Sequence, residues 1–577
     1  MRKIYTLLAS VVILVSGVGS LSAQTVDFGG TAFNNEIIGW TDLYNLSFTS
    51  HNYGTARSMA MGNAFTALGA DMVSASLNPA GIGMYIENDV SFSMMMQFTK
   101  SPTRNSDAYY NDVPKSEQMF SDHTERFAMS SAGGVATAYR GTGLLTNFNI
   151  GFVYNRIADF NSNTLNASIG NRATEILLPN GEKEYVPQSM ANFLCTLSNV
   201  DRLETLPDGS MPLGQDPYYW GAALAYKTYI TNKDDQGWYI DRIDPTAEID
   251  QYSSVETRGS LGEYAITFGF NFIDKVYFGA TLGIQSLNYR RNTYYGENYI
   301  YPDGIYPSGE DMPYQLEYMN YMQRTKLTGT GVNFKVGVTA RPVDFLRIGV
   351  AYHSPTWFNT ALFYSGEMST CSYSAGDNPD GFDVGPKGYI YHDVYTGIWS
   401  DDGPHSWNFR TPSRLLTGVA VTIAKRVIVS ADYERSWYQS TRLQHSPIMG
   451  LSYTQMMKDV FKGSNTLRVG AEGYILPFLS LRAGYIWNGS TLRDEYKQMI
   501  ATHPVPEEQH YITAGIGLKF SRSVYLDLAY QYGTTEYTPF KTFYAVDNYD
   551  PNMSIESRTF SYRTMNHIAV VTLGFRF

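Results

Sequence analysis

The chain has 577 residues, with 43 basic and 54 acidic side chains, 15% aromatic residues and two cysteines. A formal net charge of −11 speaks against a polyanionic partner, so no nucleic acid is expected. Past the N-terminal leader no run of 18 consecutive apolar residues occurs. That excludes membrane-spanning helices but not a membrane barrel, whose strands alternate.

The leader comes first. Arg2 and Lys3 precede an apolar run from Ile4 to about Val18, and Leu21-Ser22-Ala23 stands before Gln24. This is the pattern of a secretory signal peptide over 1–23, which places the mature chain outside the cytoplasm. Without Arg2 and Lys3 the count is 41 basic against 54 acidic, a net of −13. No cysteine follows the cut, so lipid anchoring is not expected there. Cys195 and Cys371 could bridge in an exported protein, and the sequence leaves that open.

Residues 24–87 read as a lead followed by a plug. The stretch GTARSMAMGNAFTALGADMVSASLNPAGIGMY, from Gly54 to Tyr85, is apolar and rich in small residues. Met61, Phe65, Leu68 and Met72 fall at helical spacing, while Gly62 and Gly69 cut the helix into short pieces. Asn78-Pro79-Ala80-Gly81 makes a hard turn, since proline fixes φ and glycine permits what other residues cannot. A compact, kinked, non-strand segment ahead of many strands suits the inside of a barrel.

From Val90 to Phe577 the chain alternates. Period two is clean in Val332/Phe334/Val336/Val338/Ala340, Leu479/Leu481/Ala483/Tyr485/Trp487, Ile512/Ala514/Ile516/Leu518/Phe520 and Val524/Leu526/Leu528/Tyr530/Tyr532. A soluble sandwich alternates in the same way, so the connections decide. Six are short: Arg140 to Gly143, Asp274-Lys275, Arg341 to Asp344, Ala424-Lys425, Leu476 to Phe478 and Ser521 to Ser523. Seven are long, roughly 100–124, 159–260, 291–325, 355–408, 440–463, 489–508 and 538–561. Short and long alternate throughout. The expectation is an all-β, fourteen-stranded antiparallel transmembrane barrel over 88–577, with tight turns and both termini in the periplasm and long loops outside. Segment 357–370 reads as an extension or a loop hairpin. Within the largest loop, 159–260, Met190 to Asn199 and Tyr218 to Tyr229 read as short amphipathic helices. They either capture a ligand or merely cap the mouth.

The stretch AMGNAFTALGADMVSASLNPAGIGMY resembles the hatch signature of the FadL-type long-chain fatty-acid transporters, whose TodX-like branch imports aromatic hydrocarbons. LRIGVAYHSP (346–355), FRTPSRLLTGVAVTIAKRVIVSADYE (409–434) and TLRVGAEGYILPFLSLRAGYIWNGS (466–490) are similar to hairpins of that family. The terminal strand, closing on Phe577, is similar to the assembly signal of outer-membrane barrels. The resemblance implies passive uptake of a hydrophobic small molecule across the outer membrane: outer loops capture it, the barrel holds it and hatch movement releases it. Related barrels also serve as non-transporting parts of protein-secretion machinery, so a protein partner at the outer loops stays open as the alternative.

Chemistry motifs are scarce. None of the nine histidines has metal-ligand spacing, no glycine motif marks a nucleotide site, and Asp377-Asn378-Pro379-Asp380-Gly381 fails as a calcium loop. No catalytic residue, metal or cofactor is expected, and the chain reads as a monomer in contact with outer-membrane lipid rather than as an enzyme. By parity Lys335, Arg347, Arg468, Arg482 and Lys519 point into the lumen with Asp432, Glu434, Glu472 and Asp527. Near-neutral balance fits ion pairs that brace wall and plug, or one basic residue meeting a ligand carboxylate. The candidate ligand contacts are Arg347, Arg468, Arg482, Met61, Phe65 and Trp220, and the hatch motif is Asn78, Pro79, Ala80 and Gly81.

Overall fold

The computed structural model describes residues 31–33, 40–47, 52–105, 109–110, 113–114, 119–177, 183–200, 220–301, 314–374, 389–398, 405–444, 450–496, 504–545 and 555–577. The signal-peptide reading of 1–23 and the rejected calcium loop at 377–381 lie outside the described residues.

Fourteen antiparallel strands close into a barrel. They are β1 (Asp89–Asn105), β2 (Met119–Arg140), β3 (Leu145–Asp159), β4 (Glu248–Phe272), β5 (Val276–Ile300), β6 (Tyr314–Val343) and β7 (Leu346–His353). The circuit continues through β8 (Arg414–Ile423), β9 (Val427–Ser436), β10 (Ser464–Leu476), β11 (Leu479–Asn488), β12 (Pro506–Lys519), β13 (Val524–Tyr537) and β14 (Phe560–Arg576). β14 pairs with both β13 and β1, Asp89 lying opposite Arg576. The seam ends where Asn88 and Phe577 exchange backbone N–H···O bonds, both at 3.1 Å. Closure leaves the wall no open edge, which is what a strand-built wall needs in lipid.

Alternation sets the two faces. On β6, Val332, Phe334, Val336 and Val338 point outward and are exposed, while Asn333, Lys335 and Thr339 between them are buried. Outward apolar side chains recur on every other strand as well, for example Phe92, Phe127, Phe152, Phe268, Phe278, Val350, Val419, Val429, Val469, Leu481, Ile512, Leu528 and Leu573. No helix among the described residues is long and apolar enough to cross a membrane. A closed wall with an apolar exterior and a polar interior is the outer-membrane kind of span.

All six short connections lie at one end. Ile273 and Asp274 have φ of 50° and 56°, as do Ala424 and Lys425. Each pair forms the left-handed centre of a tight turn, closed by Lys275 N–H to Phe272 O and by Arg426 N–H to Ile423 O, both at 3.0 Å, whose twist matches that of the strands. The long connections at the other end are less loop-like than expected, because pairing runs on past the rim. Ser162–Asn171 continues β3 along β4, and Trp357–Ser374 continues β7 along β6 from Val332 to Tyr314. His405–Arg410 prolongs β8 and Arg442–Gln444 prolongs β9. Much of 291–325 and 355–408 is therefore sheet, and Trp357–Ser374 is both things expected of it, an extension along β6 and one arm of a loop hairpin with Tyr389–Ile398. The aromatic and β-branched content of these stretches favours strand once a neighbouring strand is present to pair with.

Helices fill the lumen and the mouth: α1 (Trp40–Ser47), α2 (Ala56–Ala60), α3 (Met190–Val200), α4 (Trp220–Lys227) and α5 (Gly450–Val460). One expectation needs correction. The barrel does begin and end on the turn side, but the lead does not stay there. Thr31–Phe33 pairs with Phe543–Ala545 in the β13–β14 connection at the loop end. α1 and the hatch occupy the lumen, and the hatch leads to Asn88 at the turn side. Sequence parity describes walls only and carries no signal for this path.

Candidate functional site

The hatch spans 52–85 and is almost wholly buried. Gly62 and Gly69 adopt φ of 60° and 67°, so the expected helix stops after Ala60 and continues as tight turns. Two 3₁₀ turns follow, Met72–Ala75 and Pro79–Met84. Asp71 caps the first through Val73 N–H at 3.0 Å. Burial pushes the Asp71 carboxyl up from its usual range, against the opposing pull of Arg57, the Val73 N–H and the Thr55 hydroxyl. Asn78 caps the second through Ala80 N–H at 3.1 Å, with Pro79 in the first position, where no N–H is needed. The Asn78 amide also donates to Thr66 O at 2.5 Å and to Thr339 on β6 at 3.1 Å.

An irregular segment in a barrel lumen leaves many backbone groups without a ladder partner, and the wall supplies them. Asn149 donates to Ile82 O at 2.8 Å, Thr281 to Ala75 O at 3.0 Å, and Thr513 to Ala60 O at 2.9 Å. Arg347 donates to Leu68 O at 2.7 Å, and His353 meets Leu77 O at 2.7 Å. In the other direction Thr66 N–H donates to Asp432 at 2.7 Å, and Ala56 N–H to Thr572 at 2.7 Å. Close approach also requires missing side chains. A Cβ on Gly279 would strike the Pro79 carbonyl group, and one on Gly484 would meet Met61 C at 2.5 Å.

Charge adds a second set of ties. Glu472 accepts from Arg57 of the hatch at 2.9 Å and from Arg482 of the neighbouring strand at 2.8 Å, and Arg482 also reaches Asp527 at 2.5 Å. Arg468, fully buried, pairs with Glu434 at 2.7 Å, and Arg414 approaches the same carboxylate at 3.4 Å. Lys335 is paired with Glu263, which also takes the Ser76 hydroxyl at 2.8 Å. Removing either partner of such a pair would strand a buried charge.

The expected site residues divide accordingly. Arg347, Arg468 and Arg482 all face the interior, yet each is engaged by hatch or wall. Met61 and Phe65 pack with Leu68, Val73 and Leu77 against Ala351, Leu416 and Ala420, in the joint between hatch and wall. Trp220 does not lie on the outer surface. It is buried above the hatch, its ring 4.8 Å from that of Tyr364. Glu263, His353, Arg414, Asp42 and Arg291 join the interior without a clear signal in the sequence. Alternation with outward Tyr264, Ile266 and Phe268 could have marked Glu263, but its partners come from three other segments, the hatch, β5 and β6.

Above the hatch the lumen turns apolar. Leu287, Leu327, Phe358, Leu362, Phe409, Val460 and Phe461 pack around Tyr44 of α1. Further out, α3 and α4 lie against the strand extensions through Phe193, Leu194, Leu224, Tyr295, Met319, Met368 and Phe543. These helices bury their apolar faces toward the barrel, which favours capping over surface capture. Glu297 ties α3 down, accepting from Met190 N–H at 2.8 Å, Tyr295 at 2.6 Å and Tyr299 at 2.7 Å. Cys195 and Cys371 are both buried and form no disulfide, and the Cys195 thiol donates to Tyr239 O at 3.1 Å.

Two cavities flank the hatch. One of about 420 Å³ opens toward the turns, between Arg57, Asp71, Glu472, Arg482, Lys519 and Arg576. The other, about 230 Å³, lies on the loop side, among Asp42, Tyr53, Phe160, Tyr289, Arg291 and Tyr511. No group of three or more metal-ligating side chains occurs among the described residues.

No family model and no curated protein matches the chain. Among solved structures, the Pseudomonas putida toluene transporter TodX is 12% identical, with 92% of this chain and 99% of that one covered at a TM-score of 0.45. A Pseudomonas aeruginosa FadL homologue is 13% identical, over 92% and 98%, with a TM-score of 0.45. The Ralstonia pickettii toluene transporter TbuX is 13% identical, over 92% and 99%, with a TM-score of 0.43. Barrels of the FadL and TodX kind are thus what this chain is similar to, over nearly its whole length and at low identity.

Proposed function

We propose that the protein is a single-chain outer-membrane barrel for passive uptake of hydrophobic small molecules, of which long-chain fatty acids and aromatic compounds are the leading classes. The observation that carries this is a packed apolar cluster in the lumen above a hydrogen-bonded plug. A water-filled porin lines its lumen with polar groups, whereas here Leu287, Phe358, Phe409 and Phe461 meet in the middle of the passage. Apolar walls with a few oriented polar groups are what a hydrophobic ligand needs in order to leave lipid or lipopolysaccharide. The hatch below must move for passage, and its ties to the wall include many polar bonds that can exchange with water.

The test is uptake in a host lacking its own fatty-acid transporter. Expression should restore accumulation of a labelled long-chain or aromatic compound. Changing Asn78 and Pro79 together should lower uptake more than it lowers surface abundance. A correctly inserted barrel that accumulates nothing from a broad panel of lipids and aromatics would overturn the reading, and binding of a protein partner would then lead.

A further inference from the structure

We propose that the outward face of β4, β5 and β6, above the membrane belt, binds the phosphate groups of a lipopolysaccharide core. Three cations stand there in one row across the three strands. Arg258 lies directly opposite Arg290, and Arg290 directly opposite Lys326. Both arginines are exposed. Side chains so placed have Cβ atoms about 5 Å apart, and like charges at that spacing repel. One step further out on β6, Arg324 adds a fourth cation. In a chain with more acidic than basic residues, such a row calls for a counter-charge.

The protein supplies only part of it. Glu256 pairs with Arg258, and Glu367 approaches Arg324 at 3.7 Å. Among the described residues no carboxylate pairs with Arg290 or Lys326. The Lys326 ammonium instead lies 5.4 Å from the centre of the Phe363 ring. Four cations against two carboxylates leave an excess of two positive charges on this face. Guanidinium and ammonium groups held side by side on a sheet match phosphate oxygens, the guanidinium by a fork of two hydrogen bonds.

Height selects the partner. Tyr264, Ile284, Val332 and Trp357 form the top row of the apolar belt, with an aromatic side chain at each end as at a membrane interface. In the next two rows β5 carries Ser286 and Asn288 and β6 carries Thr330 and Thr328, without charge. The basic row stands six residues beyond Tyr264, Ile284 and Val332 on each strand. Six residues are about 20 Å of strand. At a tilt of roughly 40° that is about 15 Å of height. The polar layer of a phospholipid leaflet is only about 5–8 Å deep. Phosphates at the height of Arg290 belong to the sugar core that lipopolysaccharide raises above its acyl chains.

The experiment uses the full chain refolded in an uncharged detergent, free of bacterial lipid. Three probes are titrated: rough lipopolysaccharide with a phosphorylated inner core, lipid A alone, and dioleoylphosphatidylglycerol. The core-bearing probe should bind most tightly. Arg290→Gln combined with Lys326→Gln should weaken it by about tenfold, the scale of one charge-assisted contact, and leave the other two probes unchanged. High salt should erase the difference between the double variant and the parent, because exposed charges are screened. Lys425→Gln combined with Arg522→Gln, at the exposed turns of the opposite end, should change nothing. Both pairs of substitutions lie on the surface, and heat modifiability should stay intact in each. The inference is overturned if the core-bearing probe binds the Arg290/Lys326 variant as tightly as the parent, or loses as much in the turn variant. An equal loss with lipid A or phosphatidylglycerol overturns the assignment to the core. Uptake, measured separately, is untouched by any of these results.

Discussion

The lumen holds two obstructions fastened in different proportions. The hatch adds to its apolar joints with the wall a dense set of polar contacts: wall asparagines and threonines on its backbone, and Arg57 on Glu472 of the wall. The outer cap is fastened mainly by apolar packing, with Glu297 as its chief polar tie. Water and ions loosen the first kind of joint, and hydrophobic molecules invade the second. Under the proposed uptake function, each joint would lie on the side where its solvent can act.

Glu472→Ala should have the largest effect, since it leaves Arg57 and Arg482 short of a counter-charge in a buried site. A loss of about 3–5 kcal/mol is expected for breaking such a group. It should appear as a lower heat-modification temperature together with raised single-channel conductance in planar bilayers. An unchanged conductance would mean that the charged ties do not hold the hatch. Phe193→Ala in the cap removes a core-sized aromatic, about 3–5 kcal/mol of local packing. It should raise protease access to the α3–α4 region on whole cells while leaving the conductance and the barrel's melting untouched. Coupled changes in both would erase the distinction between the two joints.

Gly279→Ala tests close approach rather than charge. Pressing a methyl group into the Pro79 carbonyl should cost about 1–3 kcal/mol. Hydrogen exchange should rise in Pro79–Met84 ahead of the wall strands. Asn78→Ala gives the smallest effect, about 1 kcal/mol for a lost cap. It should be read as faster exchange at Ala80 in a barrel of normal abundance. Topology sharpens the same comparison from another side. A cysteine at Thr31 should be labelled by an impermeant reagent on intact cells, whereas one at Lys425 should not, because the lead reaches the cap and the hairpin turn does not.

Much of this protein is written in its sequence, and the reason is period. Val332 to Ala340 and Ile512 to Phe520 alternate because lipid on one side and the lumen on the other impose opposite chemistry on successive side chains. The rhythm of turns sets the strand number, and Gly62, Gly69 and Asn78-Pro79 mark the hatch because their backbone demands are local. Tertiary structure decides everything that depends on which distant segments meet. Glu263 finds Lys335 and Ser76, and Asp42 finds Arg291, across separations that no periodicity encodes. The sequence leaves the Trp220 segment open between ligand capture and capping of the mouth, and only the tertiary structure shows Trp220 buried against Tyr364 of the strand extension. The lead reads as periplasmic because barrel parity assigns both ends of the wall to one side. A segment inside the lumen obeys no such parity, and its course is decided by the pocket that its carboxylate and aromatic side chains fill.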